Sequence, residues 1–199
     1  MLLEPDPVLS GLLLTLVPQW FDASHEISVV AEPIPGPPMT SLLAQGFDTV
    51  ASFCVLEHIE DDHAVFAALC DIARSGTAHG PTHLISYVPA HRWAYGAMDR
   101  HDGHFRRYDR ARLQALAGRH APEATHRLRS FNFLGLWAWA VKGRLLPHAE
   151  VSRAEVQAFE RIVPLWRPLD SLLTGRLRVP LGQSVISVLT FPGRTEAKR

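Results

Sequence analysis

Cysteine is scarce in this chain. The two present, Cys54 and Cys70, stand in apolar surroundings and show no disulfide or metal spacing, so both read as reduced, buried thiols of a cytosolic protein. Excess charge is lacking as well: 20 Lys+Arg balance 20 Asp+Glu, and nucleic acid is therefore not the default partner. No run of about 18 apolar residues occurs, which argues against a transmembrane helix. The N-terminus, Met1-Leu2-Leu3-Glu4-Pro5-Asp6, carries no basic region ahead of its apolar stretch and reads as no secretory signal. Internal repeats and low-complexity tracts are missing too. What is present is average for a soluble globular protein, with 47% hydrophobic and 20% charged residues among 199. One cytoplasmic domain, residues 1–199, is expected, long enough to bury a core.

The apolar pattern alternates between two periods. A short strand at Leu2-Leu3-Glu4 precedes Asp6, which reads as a helix N-cap with Pro7 at the first helical position. Leu9, Leu12, Leu13 and Leu16 keep helical spacing to about Trp20. Glu26 to Ala31 reads as a strand, and Pro33 to Pro38 must be loop. Phe47 to Val55 is nearly continuous in apolar residues, the pattern of a strand buried on both faces. A helix is expected from Asp62 to Arg74, a strand from His83 to Val88, and a helix capped by Asp109. His126 to Ser130 and Val185 to Phe191 read as strands. Between them, residues 131–175 form an apolar helical insertion or cap, with a capping box at Ser152 and Glu155. Pro164 and Pro168 should kink or split its second helix.

Strands alternating with helices imply an α/β fold with a mostly parallel, doubly wound, Rossmann-like sheet. Such a fold normally opens with a strand and a glycine-rich turn before an acid-ended second strand. Here the acid-ended strand comes first and no G-x-G turn precedes it.

The most specific segment runs Phe47-Asp48-Thr49-Val50 to Val55-Leu56-Glu57-His58-Ile59-Glu60-Asp61. It resembles the fourth strand of class I S-adenosylmethionine-dependent methyltransferases, where "FD-x-V" opens the strand and "VLEHI" follows it. The likeness extends from Glu4 to Phe191. It implies a methyltransferase domain that lacks its first strand and glycine-rich loop, so a truncated start is expected, with about 20 residues or more ahead of Leu2. Cofactor binding by the short chain should accordingly be weak or absent. By the same likeness Glu4 accepts hydrogen bonds from the cofactor ribose, Phe53 and Cys54 lie against the cofactor, and Glu32 lies near its adenine. A carboxylate suits a vicinal diol because it offers two acceptor oxygens. Read without the resemblance, Phe53 and Cys54 are equally core residues and Glu4 a solvated acid in a turn.

The loop after the next strand, Val88 to Tyr108, is dense in His, Asp, Arg and Tyr. It resembles a subgroup with "VPA…YG-x-x-D…GH-x-RRY" and should face the methyl donor. Asp99, Arg106, Arg107 and Tyr108 are the candidate acceptor contacts; the forked guanidinium donors point to a small-molecule acceptor that is anionic or, given the aromatic insertion, amphipathic. A loop knit internally by Asp–Arg pairs explains the same composition. His58 and His104 are the candidate bases, because imidazole titrates near neutrality; His58 serves equally as a cap of the turn. An inactive fragment or binding module with this fold is the second reading. A metal-dependent hydrolase using Glu57, His58, Asp61, Asp62 and His63, or Asp99, His101, Asp102 and His104, is the third; no H-E-x-x-H spacing supports it, and no metal site is expected.

Overall fold

The computed structural model describes residues 1–20, 28–145 and 153–193. It is a mixed α/β structure in which helices flank the larger of two sheets. The smaller sheet pairs β1 (Leu2–Leu3) in parallel with β2 (Val29–Val30), and α1 (Pro7–Trp20) stands between them in sequence. As the sequence predicts, Asp6 caps α1: its Oδ1 accepts the amides of Val8 and Leu9 at 2.8 and 2.9 Å. Of the strand expected at Glu26–Ala31, residues 29–30 form β2 and residues 26–27 lie outside the described residues; α2 (Met39–Gln45) follows the proline loop.

The larger sheet has four strands: β3 (Thr49–Phe53), β4 (Thr82–Pro89), β5 (Thr125–Phe131) and β6 (Ser184–Phe191). Their order is β3-β4-β6-β5, with β3 and β4 parallel and β6 antiparallel to both of its neighbours. One face of this sheet carries the core. Leu84 lies opposite Leu189 and Val88 opposite Val185, all buried, and they pack beneath α3 (Asp62–Ser75) and α5 (Arg110–His120). From α3 come Val65, Phe66 and Leu69; from α5 come Leu113, Leu116 and Ala117. That helical spacing is what the sequence shows, and a stripe of this kind has to be buried against a sheet.

Four expectations need correction. The larger sheet is not mostly parallel, since β3–β4 is its one parallel pairing and β6 runs against both β4 and β5. β3 is not buried on both faces, because it is an outer strand with β4 on one side only: Thr49, Ala51 and Phe53 are exposed. Asp109 precedes α5 but does not cap it by its side chain; Oδ1 instead accepts the Arg92 amide at 3.1 Å. In the insertion, α6 (Phe133–Leu145) is followed by α7 (Arg153–Asp170), which runs unbroken through Pro164 and Pro168 and then widens into a π-helical turn, Ser171–Arg176. The capping box at Ser152 and Glu155 falls outside the described residues.

The end of α3 is held against the start of β3 by a close approach at Gly76. A Cβ there would overlap the carbonyl of Phe47 and meet Thr82 Cγ2 at 3.0 Å. Backbone cannot give way as a flexible side chain can, so Gly76→Ala should destabilise the chain by about 1–3 kcal/mol, the usual cost of overpacking. Urea denaturation of the two proteins measures it, and equal midpoints would refute the close approach.

Candidate functional site

The site forms where β3 ends. Cys54 leaves the strand with a left-handed φ of 51°, and its amide still bonds to Tyr87 O at 2.9 Å. A non-glycine residue in that region is uncommon and turns the chain sharply. A single 3₁₀ turn, Leu56–His58, follows. It buries Glu57, only 1% exposed, and leaves His58 at the surface. Tyr108 Oη donates to the Leu56 carbonyl at 3.0 Å, and the Phe105 amide donates to the Glu57 carbonyl at 2.7 Å. The turn after β3 is therefore tied to the loop after β4.

That loop is organised by Asp99, in the short helix α4 (Ala97–His101). Its carboxylate is fully buried, at 0% exposure, and takes three partners. Arg107 Nε donates at 2.6 Å, the Gly96 amide at 2.8 Å, and His104 Nδ1 lies at 3.0 Å. Arg107 also donates to the Ala90 carbonyl at 3.2 Å and sits 4.8 Å from the centre of the Trp139 ring, which brings α6 over the loop. Burial alone would raise the Asp99 pKa, but His104 and Arg107 together hold it below the usual range. A second buried acid, Asp62, accepts from Tyr108 Oη at 2.9 Å and Arg112 at 2.8 Å, and pairs with Arg106 at 3.2 Å. Against the pull of burial, Arg112 and Tyr108 depress its pKa too.

The four residues expected at the acceptor thus have other work. Arg107 and Tyr108 are buried with partners inside the protein. Arg106 donates to the carbonyls of Ile59 and Glu60, both at 2.7 Å, as well as pairing with Asp62. It pins the loop, though to the turn after β3 rather than to Asp99 or Asp102. Asp99 is the hub of that loop. The structure does bring together His58 and His104, their rings 4.6 Å apart and nearly perpendicular at 80°. Glu57, to which sequence reasoning gave no role beyond the hydrolase alternative, is the third member: ligand-type atoms of Glu57, His58 and His104 all lie within 4.8 Å of one another.

The electrostatics of the cluster are set mainly by burial. It pushes the Glu57 carboxyl up, and Glu57 Oε2 is buried without a hydrogen-bond partner among the described residues. Cys54 is exposed, not buried as its apolar surroundings in sequence suggest; partial desolvation and the neighbouring Glu57 carboxylate push its thiol pKa up to about 11. It remains a thiol and no nucleophile at neutral pH. Burial and the neighbouring His104 lower the pKa of His58, which favours the neutral imidazole. Phe53, at the mouth of the turn, is 64% exposed and 6.4 Å from the Tyr87 ring, which in turn lies 6.0 Å from Phe131. Glu4 and Glu32 follow β1 and β2 in the smaller sheet. Glu4 Oε1 accepts the Asp6 amide at 3.0 Å, and Glu32 is exposed.

No protein-family model matches the chain, and no curated protein is similar to it. Among solved structures it is similar to Haemonchus contortus phosphoethanolamine N-methyltransferase 2 in complex with phosphomonomethylethanolamine and S-adenosylhomocysteine, at 12% identity and a TM-score of 0.35. That likeness covers 73% of this chain and 33% of the nematode enzyme, so the chain spans about a third of its length. It is also similar to a Bacillus halodurans protein provisionally assigned as a methyltransferase, at 9% identity and a TM-score of 0.43, over 94% of this chain and 79% of that one.

The two depressed carboxyls set a pH dependence. A group whose folded pKa lies below its unfolded value stabilises the fold above the unfolded value, and the contribution is lost as pH falls through the folded one. For Asp62 and Asp99 that loss begins below about pH 3.9, the ordinary Asp value. Asp99→Asn should destabilise strongly at neutral pH, where it strands Arg107, and its difference from wild type should shrink in acid below about pH 4. A pH-independent difference in unfolding free energy would contradict the pairing. Arg106→Ala should cost about 1.5–3 kcal/mol, the range for hydrogen bonds to a charged group, read from the same unfolding curves.

Proposed function

We propose that this chain serves S-adenosylmethionine-dependent methyl transfer to a small-molecule acceptor, with the reacting centre at the carboxyl end of β3. The reading rests on the "FD-x-V" and "VLEHI" segments and on one observation, the exposure of Phe53. A core residue at that position would be covered; this ring is instead left open beside a left-handed Cys54 and a pair of imidazoles. In open α/β sheets ligands collect at the carboxyl ends of the strands.

The donor set was tested against the cofactor's chemistry. Glu4 is an acid at the end of β1, suited to the ribose diol, although one oxygen already serves the Asp6 amide. Phe53 offers an apolar ring face, Glu32 a polar group at the end of β2, and Cys54 an uncharged thiol. These residue types suit the nucleoside part of the cofactor by their chemistry, although Glu4 and Glu32 follow strands of the smaller sheet and Phe53 and Cys54 belong to the larger.

The bound cofactor supplies a methyl group already activated on a sulfonium. The chain's part is to align the acceptor and take its proton. Asp99 occupies His104 Nδ1, so Nε2 is the nitrogen left to receive a proton, and His58 is a neutral imidazole beside it. Imidazole suits a hydroxyl acceptor because it titrates near neutrality. The row Phe53, Tyr87 and Phe131 favours an apolar or amphipathic acceptor. The anionic handle expected from Arg106 and Arg107 loses its support, since both guanidinium groups are engaged within the protein.

Calorimetry with S-adenosylhomocysteine tests the reading. Weak but saturable binding is expected, and Glu4→Ala should weaken it by about 1.5–3 kcal/mol. Phe53→Ala should weaken it without lowering the melting temperature, because so exposed a ring adds little to the core. Absence of saturable binding, or affinities unchanged in both variants, overturns the assignment.

A further inference from the structure

The geometry points to a mononuclear site for a first-row divalent metal ion, of the Zn²⁺ or Fe²⁺ class, held by Glu57, His58 and His104. The inference goes beyond methyl transfer and stands whether or not the chain transfers a methyl group; a metal ion on His58 and His104 Nε2 would replace the proton-accepting role proposed for those imidazoles.

Four observations converge on it. The first is the donor set, two imidazoles and one carboxylate with ligand-type atoms within 4.8 Å of one another. In a tetrahedral site with bonds near 2.0–2.1 Å, ligand atoms lie about 3.3 Å apart. The cluster therefore needs to close by no more than about 1.5 Å against that spacing, and His58, the exposed member, is free of the packing that fixes the other two. Two imidazoles with one carboxylate select zinc, iron, cobalt or manganese over magnesium and calcium, which prefer all-oxygen sites.

The second observation is the state of Glu57. It is 1% exposed, with Oε2 buried and, among the described residues, without a hydrogen-bond partner. A buried carboxylate is costly unless a charge or a full set of donors meets it. Arg107, the guanidinium near it, gives Nε to Asp99 and Nη1 to the Ala90 carbonyl. A cation at the cluster supplies the missing partner.

The third is Asp99, fully buried and 3.0 Å from His104 Nδ1. A carboxylate behind an imidazole fixes its tautomer and aims the other nitrogen, the arrangement that accompanies metal-bound histidines. Here that nitrogen is His104 Nε2. The fourth is the framework: the Phe105 amide donates to the Glu57 carbonyl at 2.7 Å, so the turn carrying Glu57 and His58 is tied to the loop carrying His104. Three protein ligands leave coordination positions open toward the surface at His58, as in catalytic rather than structural metal sites.

The full chain, stripped with chelator and titrated with Zn²⁺ by calorimetry and with Co²⁺ by visible absorption, tests the site. One equivalent of Zn²⁺ should bind, and Co²⁺ should give ligand-field bands that Zn²⁺ abolishes and Mg²⁺ does not. His58→Gln and Glu57→Gln should each weaken Zn²⁺ by more than roughly tenfold, since even removing a group that only hydrogen-bonds to a metal ligand costs that much. Folding is controlled independently. Glutamine is isosteric with glutamate, and Glu57 Oε2 has no hydrogen-bond partner to lose among the described residues, so metal-free Glu57→Gln should melt no lower than metal-free wild type. The pair His63 and His120, with ring nitrogens 3.0 Å apart, is the control for adventitious zinc. No saturable Zn²⁺ binding, affinity unchanged in both cluster variants, or binding abolished by His63→Gln instead overturns the assignment.

Discussion

A fully buried carboxylate, Asp99, sets the form of this protein's most polar region. Taking an Asp–Arg pair out of water costs several kcal/mol per ion, and only close geometry with further hydrogen bonds offsets it. Asp99 meets that condition with Arg107, the Gly96 amide and His104. The net gain in stability from such a pair is small, and its value is specificity of placement. With the carboxylate fixed, the His104 ring has one orientation, and Arg107 has one position beneath Trp139. The insertion is thereby fastened to the same hub. Asp62 repeats the device on the other side of the loop, joining Tyr108, Arg112 and Arg106.

These two hubs explain how the cluster of Glu57, His58 and His104 is held. Two of its members come from a 3₁₀ turn of three residues and one from an irregular loop, and neither element is rigid by itself. Rigidity is borrowed from below, from Tyr108 on the Leu56 carbonyl and from Arg106 on Ile59 and Glu60. The loop's charged residues thus act as its internal frame, and the face left open is lined by imidazole and aromatic rings.

Much of the fold was legible in the sequence, for a physical reason. α1, α3, β4 and β6 carry their periodicity and their caps within a few residues, so Asp6 and the Val65, Phe66, Leu69 stripe could be read directly. β3 was misjudged because an apolar run records what could be buried, not how many neighbours a strand has. α2 is seven residues long, follows prolines and shows no periodic run long enough to read. At the site, His58 and His104 were legible as chemistry but not as neighbours. The side-chain hydrogen-bond partners of Asp62, Arg106 and Tyr108 lie 46 to 52 positions away along the chain, beyond the reach of any local pattern. An Arg-Arg-Tyr run looks the same whether it meets a ligand or its own backbone. Glu57 was quoted within a motif, and only the three-dimensional structure shows that its carboxylate is buried.

That long reach has a kinetic side. Contacts between residues far apart in sequence form late in folding, because the chain must close a large loop before they give any return. The turn after β3 and the loop after β4 share Tyr108, Arg106 and the Phe105–Glu57 backbone bond, so neither can be native while the other is not. They make up one cooperative unit, in which the amides of both segments exchange with solvent through a common opening.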